Sequence, residues 1–258
     1  MNDVEQRLTT LILAAGKGTR MQSDLAKVLH PLHNRPMIQY VVETAMAIRS
    51  DRIVVIVGYQ TEDVRRALKS YPVIFAEQKN PLGTGHAVMQ AVPFLEGADD
   101  NMLVLAGDTP LLTAATLKKF VFEHHRLQAA VSILTAKMNE PAGLGRIIRT
   151  KEGQIIRIVE EKDATDEERE IKEINTSTYC FHTPLLMEAL KKIKPMNKQG
   201  EYYLTDTIGI LRDQGHRIGG IIATDPDETI GINTLAHLAT AEAWIDARKK
   251  DGSHLSAI

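Results

Sequence analysis

The glycine-rich stretch that follows the first apolar segment constrains the fold of this chain more than any other feature. Thr10–Met21 begins with a short apolar run, which predicts a buried parallel β-strand. The run ends in Ala14-Ala15-Gly16, whose small side chains leave the main chain accessible to a ligand. Gly16 and Gly18 allow the backbone to turn so that its N–H groups face an anion. Since open α/β sheets bind ligands at the carboxyl ends of their strands, this stretch predicts a polyphosphate site.

Positive charge is concentrated in the same region. Lys17, Arg20 and Lys27 supply three cations within one loop, which favours phosphate groups as the bound anion. The loop has neither the Walker spacing before Gly-Lys-Ser/Thr nor the third glycine of a dinucleotide fingerprint. Taken alone, these residues also fit a glycine-rich strand-to-helix turn with a solvated basic rim.

Apolar runs alternate with helical patterns through the first half of the chain. Further strands are predicted at 53–57, 73–76 and 102–106, and helices at 36–48, 61–68 and 84–95. Thr61 is expected to cap the second of these helices. This alternation is typical of a doubly wound parallel sheet.

The second half of the chain is less regular. The predicted elements are helices at 113–128, 184–192, 203–214 and 234–250, strands at 129–136, 175–181 and 217–223, a hairpin of 146–149 with 155–158, and a charged surface segment at 160–173. The whole pattern predicts one compact α/β domain whose second half supplies a small lobe.

Composition excludes several classes of function. A chain of 258 residues, 43% of them hydrophobic, suits one large α/β domain, with or without a small lobe. A net charge of −2 gives no global basic field for nucleic acid or a membrane surface. The single Cys180 excludes an internal disulfide and a multi-cysteine zinc site. The polar N-terminus and the lack of a membrane-spanning run predict a cytoplasmic protein without a membrane partner.

A second glycine-rich loop, at 78–87, follows the predicted strand at 73–76. Gln78 offers a donor and an acceptor together, which suits the edge of a pyrimidine. Gly83 and Gly85 allow a close approach of the backbone to a ligand. The alternative is a Pro-Gly turn followed by an ordinary helix cap, Thr84. His86 falls in the first turn of the helix, where a structural role is favoured.

Two polar residues follow apolar strands in distant parts of the chain. Asp108 comes directly after Gly107 at the end of the strand at 102–106, where a carboxylate suits Mg²⁺ because this ion prefers hard oxygen ligands. The alternative for Asp108 is a helix-capping residue. Asn233 lies between a strand and a helix, and alone it fits a turn or an N-cap.

The candidates for a sugar-binding role lie in the second half. Glu160 could accept hydrogen bonds from hydroxyl groups, or it could belong to the solvated acidic face of the residues after it. Asn175 brings an amide to the end of a strand, where it could hold a polar substituent. Asp206 is expected inside the second turn of the helix at 203–214, at the edge of the core.

Read in order, these segments resemble one family. The segments are LxxAAGxGTRM at 11–21, QxNPLGTGHA at 78–87, GDxPLL at 107–112, GxGR at 143–146, VEEKDAT at 159–165, EIN at 173–175, GEYYLTD at 200–206 and the late Gly-Ile-Asn at 231–233. The set is similar to the sugar-nucleotidyltransferases, and within them to the uridyltransferase half of the bifunctional GlmU proteins. The resemblance extends to about residue 245.

The resemblance implies a fold, a reaction and a set of site residues. The implied fold is a Rossmann-like, mixed, mostly parallel sheet flanked by helices, with a small β lobe on the sugar side. The implied reaction is the attack of N-acetylglucosamine 1-phosphate on the α-phosphorus of UTP, with Mg²⁺ as the cofactor. The implied nucleotide contacts are Leu13, Ala14, Ala15, Gly16, Lys27, Gln78, Gly83 and Thr84, the catalytic groups are Arg20, Lys27 and Asp108, and the sugar contacts are Gly145, Glu160 and Asn175. Ala106 and Gly107 are further implied substrate contacts, near the sugar. Asp108 and Asn233 would share the Mg²⁺ and lie roughly 4–6 Å apart.

Some features depart from the family or leave alternatives open. Ala106 stands where an aromatic residue or serine is common in the family, and Ser177 where glycine is usual. Both departures lie near the implied sugar, so they bear on the identity of the sugar 1-phosphate and not on that of UTP. The expected organisation is a nucleotidyltransferase domain at 1–245 and a tail at 246–258, without a hexapeptide-repeat acetyltransferase domain, in a monomer or weak homodimer. The alternatives are another sugar 1-phosphate, CTP or dTTP as the nucleotide, or a non-catalytic nucleotide-sugar sensor.

Overall fold

The structure is a computed structural model that describes residues 7–95 and 101–250. In chain order the strands are β1 (Leu8–Ala14), β2 (Pro31–Leu32), β3 (Arg35–Pro36), β4 (Arg52–Val57), β5 (Ile74–Glu77), β6 (Asn101–Ala106), β7 (Val131–Lys137), β8 (Arg146–Arg149), β9 (Ile155–Val159), β10 (Glu173–His182) and β11 (Ile218–Ile222). The α-helices are α1 (Met37–Ala47), α2 (Thr61–Ala67), α3 (Thr84–Ala91), α4 (Ala114–Leu127), α5 (Asp166–Arg169), α6 (Thr183–Leu190), α7 (Asp206–Asp213) and α8 (Leu235–Lys250).

A mixed sheet forms the centre of the fold. Its strands follow the order β11-β7-β10-β6-β1-β4-β5. β1 is parallel to β4 and β6, whereas β10 runs antiparallel to both of its neighbours, β6 and β7. The β8–β9 hairpin extends from β10 and forms the small lobe. The predicted mixed, mostly parallel sheet with helices beside it is confirmed.

The central strands are buried on both faces, as their uninterrupted apolar sequences require. Successive side chains of β1 point to opposite sides of the sheet. Leu11 therefore packs in the cluster that contains Val88 of α3 and Ile208 of α7. Ile12 packs on the other side, with Val41 of α1 and Phe120 of α4.

A third, smaller apolar cluster lies outside the sheet. In it, Ala241 and Ile245 of α8 pack with Leu32 of β2 and with Met21, the residue next to Arg20. The final helix therefore supports the first glycine-rich loop.

Two details of the predicted helices are wrong. Thr61 does not cap α2: the residue before the helix is Gln60, and the Thr61 hydroxyl donates to the Gly58 carbonyl at 2.8 Å instead. α7 begins at Asp206, which lies in its first turn, and not at Tyr203. The chain before it stays non-helical because its backbone pairs with the loop at 82–85.

The last helix crosses the expected boundary between 245 and 246. Arg248 of α8 contacts Asp225, lies 3.3 Å from Glu228 and stacks 3.9 Å above the Trp244 ring. These contacts attach this part of the expected tail to the rest of the domain. Residues 1–6 of the expected domain and 251–258 of the expected tail lie outside the described residues. No helix in 7–95 or 101–250 combines the length and hydropathy needed to cross a membrane.

Candidate active site

A cavity of about 450 Å³ opens where β1 and β6 end. Its lining includes Arg20, Lys27, Ala106, Asp108, Gly145, Glu160, Asn175, Ser177 and Asn233. All of these except Ser177 are among the site residues that the sequence indicates. The structure thus brings together side chains from both halves of the chain. We call its charged part, at Lys27, the phosphate end, and the part at Asn175 the sugar end, after the groups that the sequence leads us to expect there.

At the phosphate end, two oxygens converge on one cation. The Lys27 ammonium contacts Oδ2 of Asp108 and donates to Oδ1 of Asn233 at 2.6 Å. The Arg20 guanidinium donates to the same Asn233 oxygen, also at 2.6 Å. Two oxygens that contact one nitrogen at hydrogen-bond length lie within about 6 Å of each other. This agrees with the distance expected for Asp108 and Asn233.

The donor set of this oxygen pair fits a divalent cation. A carboxylate oxygen and an amide oxygen are hard ligands of the kind that Mg²⁺ accepts, and here both already face a positive charge. Within the described part of the chain, no three His, Cys, Asp or Glu side chains could hold a metal ion together. An ion at Asp108 and Asn233 would therefore need further oxygen ligands from a bound substrate or water.

The loop that carries Arg20 and Lys27 is also held in place by contacts that do not use these two cations. Gly18 has a φ of +73°, and a Cβ there would lie 2.5 Å from the Lys27 Cβ, so the position requires glycine. On the other side, the Gln60 side chain accepts from the Ala26 N–H at 2.7 Å and donates to the Asp24 carbonyl at 3.0 Å. The loop geometry is therefore supported by contacts that do not involve its charged groups.

A further polar contact of Asn233 comes from the start of α8. The His237 Nδ1 lies 3.3 Å from the Asn233 N–H and 3.2 Å from the Gly231 carbonyl. The neighbouring Ile232 N–H donates to the Asp108 carbonyl at 2.8 Å. The segment before α8 is thus bonded directly to the loop after β6, which explains how two distant residues reach one place.

At the sugar end, the three predicted sugar-binding residues are neighbours. The Asn175 N–H donates to the Gly145 carbonyl at 2.9 Å, and a Cβ on Gly145 would lie 3.3 Å from a Glu160 carboxylate oxygen. The Asn175 amide is itself fixed, because Nδ2 donates to the Tyr179 hydroxyl at 2.7 Å and Oδ1 accepts from the Ser177 N–H at 3.1 Å. This end is preorganised by contacts within the protein.

Glu160 faces the cavity, so the alternative of a solvated acidic face does not describe it. Burial raises the pKa of its carboxyl group above the ordinary value, and the hydrogen bond from the Thr205 hydroxyl, at 3.2 Å, acts in the opposite direction. The negative charges of Asp163 and Asp206 raise this pKa further. A polar ligand in the cavity could therefore donate a hydrogen bond to the Glu160 carboxylate.

Gln78 lies outside the cavity lining, beside the end of β4, and its N–H groups are already used. Its Nε2 donates to the Gly83 carbonyl at 3.0 Å and lies 3.0 Å from Nδ1 of His86. Since a carbonyl can only accept, the nitrogen must face Gly83, and Oε1 is the atom that can accept from a ligand. The sequence predicts a donor and an acceptor for the base; this arrangement offers the acceptor. His86 has a structural contact, as favoured.

The backbone at the start of α3 explains the second glycine-rich loop. Gly83, with a φ of +107°, is the cap residue, and a Cβ there would lie 2.6 Å from the Tyr202 carbonyl oxygen. Thr84 is therefore not the cap but the first residue of the helix. Its hydroxyl accepts from the Leu204 N–H at 3.0 Å. The loop is thus joined to the segment that precedes α7.

The other predicted substrate contacts lie at strand ends. They are Leu13 and Ala14 of β1, Ala15 and Gly16 after it, and Ala106 and Gly107 at the end of β6. The Gly107 N–H donates to the Leu13 carbonyl at 2.9 Å, and the position of a Cβ on Gly16 has no atom within 4 Å. Lys17 turns away from the phosphate end, with its ammonium 5.3 Å from the centre of the Tyr59 ring.

Sequence patterns did not single out three residues of this site: Tyr179, Thr205 and Gln60. Tyr179 lies in a strand-like run, four residues after Asn175, and even spacing within a strand places side chains on one face. That spacing was the available signal. Thr205 and Gln60 carry no comparable pattern, because their roles depend on partners in distant segments.

A comparison with known families now bears on this geometry. The profile of the MobA-like NTP transferase domain matches residues 10–174, which is more than half of the chain. The chain belongs to this family. The matched MobA-like region contains both glycine-rich loops and Asp108, whereas Asn233 lies beyond it.

Curated relatives of this MobA-like NTP transferase carry the name bifunctional protein GlmU. One from Brevibacillus brevis is 46% identical over 246 residues, which cover 95% of this chain and 53% of the relative. Another from Streptococcus gordonii is 47% identical over 238 residues, which cover 92% of this chain and 52% of the relative. The chain thus spans about half the length of these relatives. The matches confirm the resemblance found in the sequence.

Solved structures agree on the fold. A UDP-glucose pyrophosphorylase complexed with UDP-glucose superposes with a TM-score of 0.74 at 20% sequence identity, over 94% of this chain and 99% of that one. At this identity the likeness shows the fold alone. It confirms the expected nucleotide-diphospho-sugar transferase fold.

Proposed function

We propose that this chain transfers the uridylyl group of UTP to N-acetylglucosamine 1-phosphate and releases pyrophosphate. The observation that carries the proposal is one cavity with a cationic end, at Arg20 and Lys27, and a hydrogen-bonding end, at Glu160 and Asn175. Such a cavity suits a ligand that is charged at one end and hydroxylated at the other. The likeness to bifunctional GlmU proteins supports the choice of this reaction.

In the proposed reaction, an oxygen of the sugar phosphate attacks the α-phosphorus of UTP. A new P–O bond forms as the bond to the β-phosphate breaks, and pyrophosphate leaves with the electron pair. No covalent link to the protein is needed, so its side chains act by position and charge. Lys27 and Arg20 would turn from Asn233 to the phosphates, where they would stabilise the negative charge of the leaving group.

Asp108 and Asn233 are the proposed ligands of Mg²⁺. When bound, the ion would supply positive charge against the phosphoryl oxygens. The chain itself contributes one carboxylate oxygen and one amide oxygen, at the point where the Lys27 ammonium now contacts both. Since they supply only two ligands, the metal would bind mainly together with the nucleotide.

The nucleotide and the sugar would divide the remaining site residues between them. The proposed nucleotide contacts are Leu13, Ala14, Ala15, Gly16, Gln78, Gly83 and Thr84, and Ala106 and Gly107 are further proposed substrate contacts near the sugar. Gln78 would accept from the N3–H of uracil through Oε1. Gly145, Glu160 and Asn175 would hold the sugar. The proposal includes a cytoplasmic location, a role in precursors of cell-envelope polysaccharides such as peptidoglycan, and a monomer or weak homodimer.

A panel of nucleoside triphosphates against sugar 1-phosphates, scored by pyrophosphate release, tests the proposal. UTP with N-acetylglucosamine 1-phosphate should give the highest kcat/KM. A higher value with CTP, dTTP or another sugar 1-phosphate would replace the proposed substrates and retain the chemistry. Binding of nucleotide sugars without pyrophosphate release from any pair would instead favour a non-catalytic sensor.

A further inference from the structure

Ser177 has a backbone conformation that is unusual for its position. In residues 7–95 and 101–250, seven non-glycine residues have a positive φ, and six of them lie in turns or at helix ends. Ser177, with a φ of +59°, lies inside strand β10. A residue with a Cβ adopts this conformation at an energetic cost that glycine avoids. A serine at this position therefore carries a local energetic cost.

A β-bulge accounts for the conformation but not for the serine. β10 pairs with β7 at Asn175 and again at Thr178, with adjacent partners on β7, so two residues of β10 are extra. A bulge of this kind re-aims side chains next to binding sites. Here it places Ser177 in the wall of the cavity, beside Asn175. Because glycine would meet the backbone requirement at lower cost, the Ser177 side chain is what needs explanation.

Ser177 is connected to the sugar end through its backbone. Its N–H donates to Oδ1 of Asn175 at 3.1 Å. Nδ2 of the same Asn175 amide donates to the Tyr179 hydroxyl at 2.7 Å. An amide has two N–H groups and two oxygen lone pairs, so Asn175 can still offer a ligand one of each. Ser177 adds a hydroxyl next to them.

We propose that Ser177 is a specificity-determining residue that recognises, together with Asn175, the acylamino substituent of the sugar 1-phosphate. An acylamino group carries an N–H donor and a carbonyl acceptor on separate atoms, whereas a ring hydroxyl carries both functions on one oxygen. Two adjacent polar side chains match the former better. A site built to hydrogen-bond a group rejects an analogue that lacks it, since its own polar atoms remain unpaired. This inference rests on the proposed function and names the substrate class of the same site.

Three variants separate the hydroxyl from the backbone conformation. Ser177→Gly removes the hydroxyl and relieves the strained backbone, and Ser177→Ala removes the hydroxyl but keeps the Cβ. Gln128→Gly is the matched control, because Gln128 has a φ of +48° at the end of α4 and does not line the cavity. For each variant, kcat/KM is measured with UTP and either N-acetylglucosamine 1-phosphate or glucose 1-phosphate, together with the Tm.

Both Ser177 variants should lower the preference for the acylamino sugar by roughly three- to tenfold, the size of one hydrogen bond. Gln128→Gly should leave this preference unchanged. The two glycine variants should have a Tm equal to or above that of the wild type, because each relieves strain. An unchanged preference in Ser177→Gly overturns the proposal, and that variant decides the matter even if Ser177→Ala fails to fold.

Failure of the proposed function would be visible separately, as a lack of pyrophosphate release by the wild type. The inference about Ser177 is then tested by calorimetry with UDP-N-acetylglucosamine and UDP-glucose, which needs no turnover. A wild-type preference for the first ligand that falls three- to tenfold in Ser177→Gly supports the proposal. A preference that persists in Ser177→Gly, or equal binding of both ligands by the wild type, contradicts it.

Discussion

The phosphate end and the sugar end of the cavity differ in how their polar groups are satisfied. At the phosphate end, Lys27 and Arg20 are bonded to Asp108 and Asn233. Asp108 and Asn233 are also the proposed metal ligands, so the two cations would have to leave them before a metal ion binds. At the sugar end, Asn175 is held by Tyr179, which is not a proposed ligand of any substrate or metal. Under the proposed function we therefore expect the charged end to rearrange when substrates bind and the sugar end to keep its present geometry.

This contrast follows from the kinds of side chain at each end. Lysine and arginine are long and flexible, and they keep their hydration or a counter-ion until a phosphate arrives. Asn175 and Tyr179 are buried, so leaving their polar atoms unpaired would cost far more than satisfying them within the protein. In the proposed site, positive charge would thus come from side chains that can move, and selectivity from side chains that are fixed.

The largest expected effect is at the phosphate end. Lys27→Ala should lower kcat by about a hundredfold or more, since it removes a positive charge from the reacting phosphates, and Arg20→Ala should act in the same direction. The Tm should change little, because the Gln60 side chain also holds the loop, through Ala26 and Asp24. Lys17→Ala is the matched control: its ammonium lies over Tyr59, and kcat should change no more than a few-fold. Equal losses in Lys17→Ala and Lys27→Ala would show that only overall loop charge matters.

A second prediction concerns which cation, the Lys27 ammonium or a metal ion, contacts the oxygens of Asp108 and Asn233. Because the Lys27 ammonium contacts both oxygens, it should compete with a metal ion for them. Lys27→Met should therefore bind Mn²⁺ without nucleotide roughly tenfold more tightly than the wild type does, as measured by electron paramagnetic resonance. The double variant Lys27→Met/Asp108→Asn should lose this gain. Equal Mn²⁺ affinities of the wild type and Lys27→Met would show that lysine and metal do not share the place.

The sugar end should respond more mildly, and only towards one substrate. Tyr179→Phe leaves Nδ2 of Asn175 without its partner, so the KM for the sugar 1-phosphate should rise by roughly three- to tenfold while the KM for UTP stays constant. Tyr40→Phe is the control, since it removes a buried hydroxyl that donates to the Leu32 carbonyl at 2.8 Å, away from the cavity. An equal rise in both KM values for Tyr179→Phe would mean that the two ends are not independent.

The smallest expected effect is a pH dependence confined to the sugar end. Because the pKa of Glu160 is raised by burial, its carboxylate takes up a proton at a higher pH than an exposed glutamate does. As the pH falls through this raised pKa, the carboxylate loses acceptor capacity, and the KM for the sugar 1-phosphate should rise a few-fold. Glu160→Gln should have a raised KM that no longer varies over this range. A wild-type KM that stays flat in acid would remove Glu160 from sugar binding.

Local sequence features were enough for part of this molecule. The strands β1, β4 and β6 follow from uninterrupted apolar runs, and the turn at Gly18 follows from a residue type that tolerates positive φ. The meeting of Asp108 with Asn233 could be expected because both come after sheet strands, near the same edge. For the strands and the Gly18 turn, the signal lies within a few consecutive residues.

The features that the sequence did not predict depend on distant partners. The bulge at Ser177 is a matter of register against β7, and register cannot be derived from β10 alone. The start of α7 is shifted to Asp206 by backbone pairing with the loop at 82–85. The orientation of the Gln78 amide is set by the carbonyl of Gly83. Tertiary contacts override local preference at all three places.

A structure of the protein with UDP-N-acetylglucosamine and Mg²⁺ tests the contrast between the two ends most directly. The account predicts that the Lys27 ammonium leaves Asp108 and Asn233 for a phosphate oxygen. It also predicts that the Asn175 and Tyr179 side chains stay within about 0.5 Å of their present positions, with the acylamino group against Asn175. A Lys27 ammonium that remains on Asp108, or a broken bond between Asn175 and Tyr179, would contradict it.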